Sequence, residues 1–136
     1  MNVSEESAKT PPALHPALTF LVAVAAWAVP GLGHLILRRW RRAIVFFLGV
    51  STFALLGLSL RGYVFSPQAN DAFELLGFLS NIGAGGYYYL AKFVVNAPSD
   101  ISRAAGDYGT RFFAAAGVLN LLCVLDAVNI AGGRKE

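Results

Sequence analysis

Residues Ala17 to Leu37 form a run of 21 positions without a formal charge, and four arginines in five positions follow it directly. A helix of about 20 apolar residues crosses a hydrocarbon core of roughly 30 Å. Clustered arginines stay on the cytoplasmic side of such a span. Arg38, Arg39, Arg41 and Arg42, with Trp40 among them, are therefore expected to anchor the segment at the cytoplasmic interface and to attract anionic lipid headgroups.

The composition agrees with a chain that lies in a lipid bilayer. Hydrophobic residues make up 56% of the sequence and charged residues only 14%, about half the charged share of a typical soluble domain. The basic residues stand at the ends of apolar runs, whereas nucleic-acid binding needs them on a solvated face with aromatic side chains for stacking. We expect no nucleic-acid partner.

The order of apolar and polar segments predicts an all-α, polytopic integral membrane protein with about four transmembrane helices and a broken first segment. A disordered polar tail over 1–16 carries Glu5 and Glu6 against Lys9. It therefore lacks the basic start of a signal peptide, and we expect no cleavage there. The predicted spans of the single transmembrane domain, 17–131, are 17–37, 43–60, 72–92 and 112–131, followed by a polar tail over 132–136.

Counts of arginine and lysine in the short loops set the expected orientation. With four crossings they favour both termini on the outer side of a bacterial inner membrane, opposite the arginine cluster. A form with three crossings, in which the first segment is re-entrant or lies in the interface, is the alternative. It puts the carboxyl terminus inside, and it satisfies both basic clusters only if the arginine cluster stays on that side too.

The break in the first segment is predicted at Pro30, Gly31, Gly33 and His34. Proline cannot donate to the helical ladder and clashes with the preceding turn, and glycine permits a positive φ or a close backbone approach. Broken backbone at membrane depth must be buried in protein or face water. The break therefore indicates either a packed turn or a water-facing site, and we interpret His34 as a hydrogen-bonding anchor.

Small residues recur within two predicted spans at helical spacing, at Gly49 and Gly57 and at Gly77, Asn81 and Gly85. Residues at these offsets are expected to share a helix face. Small-residue stripes let helices approach closely in lipid. We predict that they serve helix packing, either within the chain or between copies of it.

Polar residues inside the fourth span, Asn120, Asp126 and Asn129, are the candidates for chemistry. A carboxylate in a membrane is costly, so Asp126 is expected to reach headgroups or an arginine in a structural role, with a proton-relay or ion site as the alternative. Cys123 is the only cysteine, and the sequence contains no metal-ligand spacing and no motif for a cofactor or a nucleophile. We expect no enzyme activity, which would need His34 and Asp126 within hydrogen-bond reach.

The segment Pro30-Gly31-Leu32-Gly33-His34, with Arg39-Trp40 and Arg42 after it, resembles a turn of small uncharacterised bacterial multi-pass membrane proteins that form a family of unknown function. It is also similar, more distantly, to the two-transmembrane-helix domain family. The carboxyl end, including Asn120 and Asp126, resembles that of the uncharacterised family. The resemblance implies a helical integral membrane protein and carries no known activity.

Taken together, these features favour a non-catalytic membrane protein that packs with itself or with a larger membrane complex. The alternative is a small transporter or channel-like protein that uses the broken first helix and Asp126. The expected partners are the lipid bilayer, anionic headgroups and a second copy or a complex.

Overall fold

The computed structural model describes residues 12–95, 98–100 and 102–134, and all regular structure within these ranges is helical. The predicted all-α class is therefore confirmed. Most of the predicted amino-terminal tail, 1–11, and the last two residues lie outside the described ranges. The helices are α1 (Pro16–Ala28), α2 (Leu32–Ile36), α3 (Trp40–Ser59), α4 (Ala72–Gly83), α5 (Gly86–Tyr89), which continues as a π-helical turn (Leu90–Val95), and α6 (Ala104–Ala131).

Two of these helices, α3 and α6, are long and apolar enough to cross a membrane. Their 20 and 28 residues correspond to lengths of about 30 Å and about 42 Å. They pack closely on each other. Gly57 of α3 has no side chain, so the backbone of Gly109 and Phe113 in α6 can approach it. Helix α6 begins at Ala104, earlier than the predicted start of the fourth span at residue 112.

The first predicted span is a helical hairpin and does not continue in one direction. Gly33 lies against Val22 and Ala26 of α1, where a Cβ atom would stand 2.6 Å from the Ala26 Cβ. In a continuous helix, Val22 and Gly33 would be about 16 Å apart along the axis. Helix α2 therefore returns beside α1, and we call Pro16–Ile36 the first hairpin and Val29–Gly31 its tip.

The predicted span over 72–92 is a second hairpin. Helix α4 ends at Gly83, and Gly85 has a φ of +61°. The Tyr88 ring then packs against the Phe78 ring of α4, with 6.1 Å between centroids, and the Lys92 Nζ donates to the Val64 carbonyl before α4. The chain therefore turns back at 84–86, which we call the tip of the second hairpin, Ala72–Val95.

The two hairpins enter from opposite ends of the α3 and α6 pair. The Leu14 amide donates to the Ala131 carbonyl at the end of α6, so the first hairpin starts there. The Asp100 amide donates to the Arg61 carbonyl, just after α3 ends, so the second hairpin returns to the opposite end. The arginine cluster consequently shares one end of the molecule with the carboxyl end of α6.

The described residues do not show the predicted four spans, and Leu14 and Arg134 lie at the same end of the molecule as the arginine cluster, although the predicted orientation separated the cluster from both termini. Helix α1 has 13 residues and α4 has 12, which is about 20 Å and 18 Å of helix. Each is too short to cross a core of about 30 Å. Because an apolar run has the same hydropathy whether it crosses or turns back, the run length alone could not reveal the two hairpins.

The interior of the fold is built mainly from small and polar side chains, and the large apolar side chains point outward. The buried residues include Ala26, Ala54, Ala84, Ala116, Ala127, Asn81 and Asn120. The exposed residues include Phe20, Leu21, Val45, Leu48, Phe73, Leu76, Leu122 and Leu125. The helices therefore approach one another closely while apolar side chains cover the surface.

Candidate functional site

The tip of the second hairpin touches the end of α1, directly before the first tip, near the middle of α6. A Cβ atom at Gly85 would stand 1.7 Å from the Trp27 carbonyl oxygen, and one at Gly86 would stand 2.6 Å from the Ala28 carbonyl oxygen. The Trp27 Nε1 donates to the Ile82 carbonyl over 2.8 Å. Glycine is required at position 85 by both this close approach and its positive φ.

Asn120 of α6 binds the carboxyl ends of α1 and α4, which are the first helices of the two hairpins. Its Nδ2 donates to the Trp27 carbonyl over 3.0 Å and to the Gly83 carbonyl over 2.8 Å. The last carbonyls of a helix have no partner within the helix. The buried Asn120 side chain donates a hydrogen bond to one such carbonyl at the end of α1 and to another at the end of α4. We call these contacts among Trp27, Gly83, Gly85 and Asn120 the tip junction.

A second polar group joins the first hairpin, α3 and α6 at the arginine end of the molecule. The Asp126 Oδ2 lies 2.9 Å from the His34 Nε2 and 3.2 Å from the Arg42 Nη1. The His34 side chain is 0% exposed, and the Asp126 and Arg42 side chains are 14% and 36% exposed. The Phe46 ring covers the imidazole, with 4.8 Å between centroids. We call the group formed by His34, Asp126 and Arg42 the polar cluster. Its contacts join α2 to α3 and α6.

The polar cluster has the contact between His34 and Asp126 that an enzyme would need, and its imidazole is closed off from solvent. A catalytic histidine passes a proton between its partner and a reacting group. The Nδ1 of His34 is buried and has no hydrogen-bond partner among the described residues, and no surface of His34 is open to a substrate. Among the described residues, no group of three or more His, Cys, Asp or Glu side chains is placed to hold a metal ion.

Arg42 differs from the other members of the arginine cluster. Its guanidinium is turned to Asp126, whereas Arg38, Arg39 and Arg41 are exposed. Arg38 ends α2 with a φ of +59°, and the Arg39 amide then donates to the His34 carbonyl over 2.8 Å. This left-handed cap directs the chain from α2 into α3 and presents three guanidinium groups beside Trp40.

The two glycines of the predicted stripe on α3 lie in different environments. Gly57 packs against α6, but a Cβ atom at Gly49 would meet nothing within 4 Å. An offset of eight residues rotates a side chain by about 80° at 100° per residue, so the two glycines do not share one face. A side chain at Gly49 would therefore face open space among the described residues.

The predicted stripe on the third span packs inside the chain. Gly77 lies beneath the Phe65 ring, the Asn81 Oδ1 accepts the Phe65 amide over 2.8 Å, and Gly85 belongs to the tip junction. Asn129 is partly buried near the end of α6, where its carbonyl accepts the Arg134 amide. The polar residues of the predicted spans thus hold loops and helix ends within the fold.

Several residues that hold the site carried no signal in the sequence. A Cβ atom at Gly117 would stand 1.6 Å from the Ser80 carbonyl oxygen, so α4 and α6 touch backbone to backbone there. The Tyr87 hydroxyl donates to the Ser51 Oγ between α5 and α3. Gly117 is one of three glycines in α6, and Ser51 lies in an apolar run. Their packing roles follow only from contacts with residues that are distant in the sequence.

Residues 21–136 match a family model and include both hairpin tips, the arginine cluster and the polar cluster. The chain belongs to DUF6677. DUF6677 is a family of unknown function, which agrees with the predicted membership of an uncharacterised family. No match to the chain was found among the curated proteins or among the solved structures. Membership of DUF6677 therefore supplies a family without an activity, and the function has to be inferred from the geometry.

Proposed function

We propose that this protein is a small, non-catalytic, multi-pass membrane protein that associates with a second copy of itself at the hairpin tips. It crosses the membrane twice, with α3 and α6, and carries one re-entrant hairpin from each side. The observation that carries this proposal is that Val29 of the first tip and Gly86 of the second are exposed at one apolar hollow, while the other residues of the two tips are buried.

The distribution of side chains supports the placement in lipid. Large apolar side chains cover the outside of both long helices, and most residues of the two helices are not buried. A soluble protein rarely exposes so continuous an apolar surface, and helices in lipid pack through small residues. These features favour α3 and α6 as membrane helices over helices of a soluble core.

The surface of the tips supports self-association. Val29 and Pro30 of the first tip and Gly86 of the second line an open apolar hollow together with Phe47 and Leu90. Val29 is 43% exposed, and Gly86 is also exposed. Irregular backbone at membrane depth is tolerated only where protein or water covers it. Because the lining is apolar, a second copy of the chain is the favoured cover.

Leu90→Trp tests this interface, because a large side chain in the hollow should keep a second copy out. In detergent, we expect the natural protein to have about twice the 14.5 kDa of one chain and the variant to be a monomer, by light scattering coupled to size exclusion. Leu79→Trp, on an exposed face of α4, should leave the dimer intact. A natural protein that is monomeric in detergent and also in nanodiscs would contradict self-association.

The proposed orientation places the arginine cluster in the cytoplasm, in a bacterial inner membrane. Arg134 follows α6 at the same end as the cluster, and basic residues in short segments are retained inside. Both ends of the chain would then face the cytoplasm. This differs from the orientation that four crossings predict.

A transport role is the second candidate, because opposed hairpins that meet at mid-depth resemble the discontinuous helices of transporters. The test is Val29→Cys in a Cys123→Ala background. A membrane-impermeant thiol reagent that modified Val29→Cys from the aqueous phase would show a water-filled path to the tips and favour transport. Failure to react, with Ser99→Cys reacting under the same conditions, would favour a sealed tip junction.

A further inference from the structure

We propose that the arginine end of the molecule binds one anionic phospholipid. Its phosphate would lie among Arg38, Arg39 and Arg41, and an acyl chain would lie in the apolar groove on the other side of Trp40. The proposal rests on the membrane placement proposed above. Its apolar groove adjoins the hollow assigned to self-association, since Val29, Pro30 and Phe47 line both, and the two proposals are tested separately below.

The headgroup part of the site is a hollow of about 350 Å³ that residues 38–42 line. Arg42 is turned away to Asp126, which leaves three exposed guanidinium groups to face a ligand. Guanidinium groups bind phosphate oxygens through paired hydrogen bonds. At the membrane surface, each basic residue adds to the attraction of an anionic lipid.

The acyl-chain part is a neighbouring groove of about 370 Å³ between the first hairpin and α3. Its lining is almost entirely apolar and includes Pro30, Leu32, Leu35, Trp40, Ile44 and Leu48. The groove runs between the level of the arginine cluster and the first tip, along the direction in which a lipid chain would lie. A soluble phosphate compound would leave this surface unused.

Trp40 joins the two parts, since its side chain lines both the hollow and the groove. An indole is favoured at the boundary between hydrocarbon and headgroups. The site is thus cationic at one end and apolar at the other, with an aromatic ring between. This charge and polarity pattern complements an anionic phospholipid and selects it over a zwitterionic lipid.

Two arginines provide a matched pair for the test. Arg38 and Arg61 both have a left-handed backbone, with φ of +59° and +57°, and each caps a helix. Arg61 lies at the opposite end of α3. Replacing either by glycine removes one charge and relieves the same backbone conformation. Arg38→Gly and Arg61→Gly should therefore have similar effects on folding, and only Arg38→Gly should affect the lipid.

The experiment is native mass spectrometry of the purified full chain, titrated with palmitoyl-oleoyl phosphatidylglycerol or with the phosphatidylcholine that has the same acyl chains. We expect one phosphatidylglycerol per chain, bound about tenfold or more tightly than phosphatidylcholine. Arg38→Gly should weaken this binding about fivefold, and Arg61→Gly should leave it unchanged. Equal affinity for the two lipids, or equal losses in the two variants, would overturn the proposal.

The groove is tested by Leu48→Trp, with Leu55→Trp as the control on the same helix. The two leucines are 58% and 53% exposed, and only Leu48 lines the groove. Leu48→Trp should weaken phosphatidylglycerol binding, and Leu55→Trp should not. Soluble glycerol phosphate should fail to compete. If it displaced the lipid at equal concentration, the site would be one for free phosphate and the proposal would be wrong.

These outcomes separate the lipid site from the proposed function. A chain recovered in the soluble fraction after cell lysis would contradict the membrane placement itself. A membrane-bound monomer that retains one phosphatidylglycerol would contradict self-association and support the lipid site. A membrane-bound dimer that binds both lipids equally would support self-association and overturn the lipid site.

Discussion

Gly117→Ala is expected to separate α4 from α6 and to destabilise the protein by about 3 kcal/mol or more. Overpacking a well-packed site costs about 1 to 3 kcal/mol when side chains can adjust. Here the new methyl group would stand 1.6 Å from the Ser80 carbonyl oxygen. A main-chain oxygen cannot rotate away, so the helices themselves have to move apart.

The measurement uses the single cysteine of the chain. Cys123 is fully buried, so its reaction with a maleimide in detergent reports opening of the helical core as the temperature rises. Gly117→Ala should lower the midpoint of this reaction by several degrees.

Gly49→Ala is the matched control, because it makes the same change inside a long helix where nothing lies within 4 Å. Alanine is favoured over glycine in a helix by about 0.5 to 1 kcal/mol, so this variant should be as stable as the natural protein or more so. Equal midpoints for Gly117→Ala and Gly49→Ala would show that α4 does not pack on α6 as described.

Asp126→Leu is expected to destabilise the protein by about 2 to 3 kcal/mol, because it removes the carboxylate that both His34 and Arg42 contact. Breaking a fully buried pair costs about 3 to 5 kcal/mol. Arg42 is 36% exposed, and water therefore offsets part of that cost. The Cys123 reaction measures the change.

The double variant His34→Phe with Asp126→Leu distinguishes a structural anchor from two independent sites. Replacing a buried polar pair by apolar side chains of similar volume is often neutral or stabilising. The double variant should therefore recover most of the stability that Asp126→Leu loses, and the two changes should be non-additive. Additive losses would mean that His34 and Asp126 do not act as a pair.

The sequence was sufficient for the helical class and for a break near Pro30, because proline and glycine act on the backbone at their own positions. It was not sufficient for the direction of the chain after the break. A hairpin and a crossing helix of the same length have the same hydropathy, and the contact of Gly33 with Val22 that distinguishes them is tertiary. The second break contains no proline. Gly85 and Gly86 form the turn there instead.

The polar residues illustrate the same limit. Asn120 and Asp126 are conspicuous in an apolar segment, and their cost in lipid predicts that each has a partner. One partner of each, Trp27 for Asn120 and His34 for Asp126, is more than 90 positions away in the sequence. Those partners follow only from the return of α2 along α1 and from the contact between the two hairpins. The spacing of residues within α6 predicts neither the return of α2 nor the contact between the two hairpins.

The re-entrant path of the second hairpin is tested most directly by the sidedness of residues 68 and 99. In a Cys123→Ala background, Gln68→Cys lies before the second hairpin and Ser99→Cys lies after it, and both can be treated in intact cells with a membrane-impermeant maleimide. Two crossings with a re-entrant second hairpin predict that both positions react from the same, outer side. If Gln68→Cys reacted from outside and Ser99→Cys reacted only after lysis, the segment between them would cross the membrane, and the second hairpin would not be re-entrant.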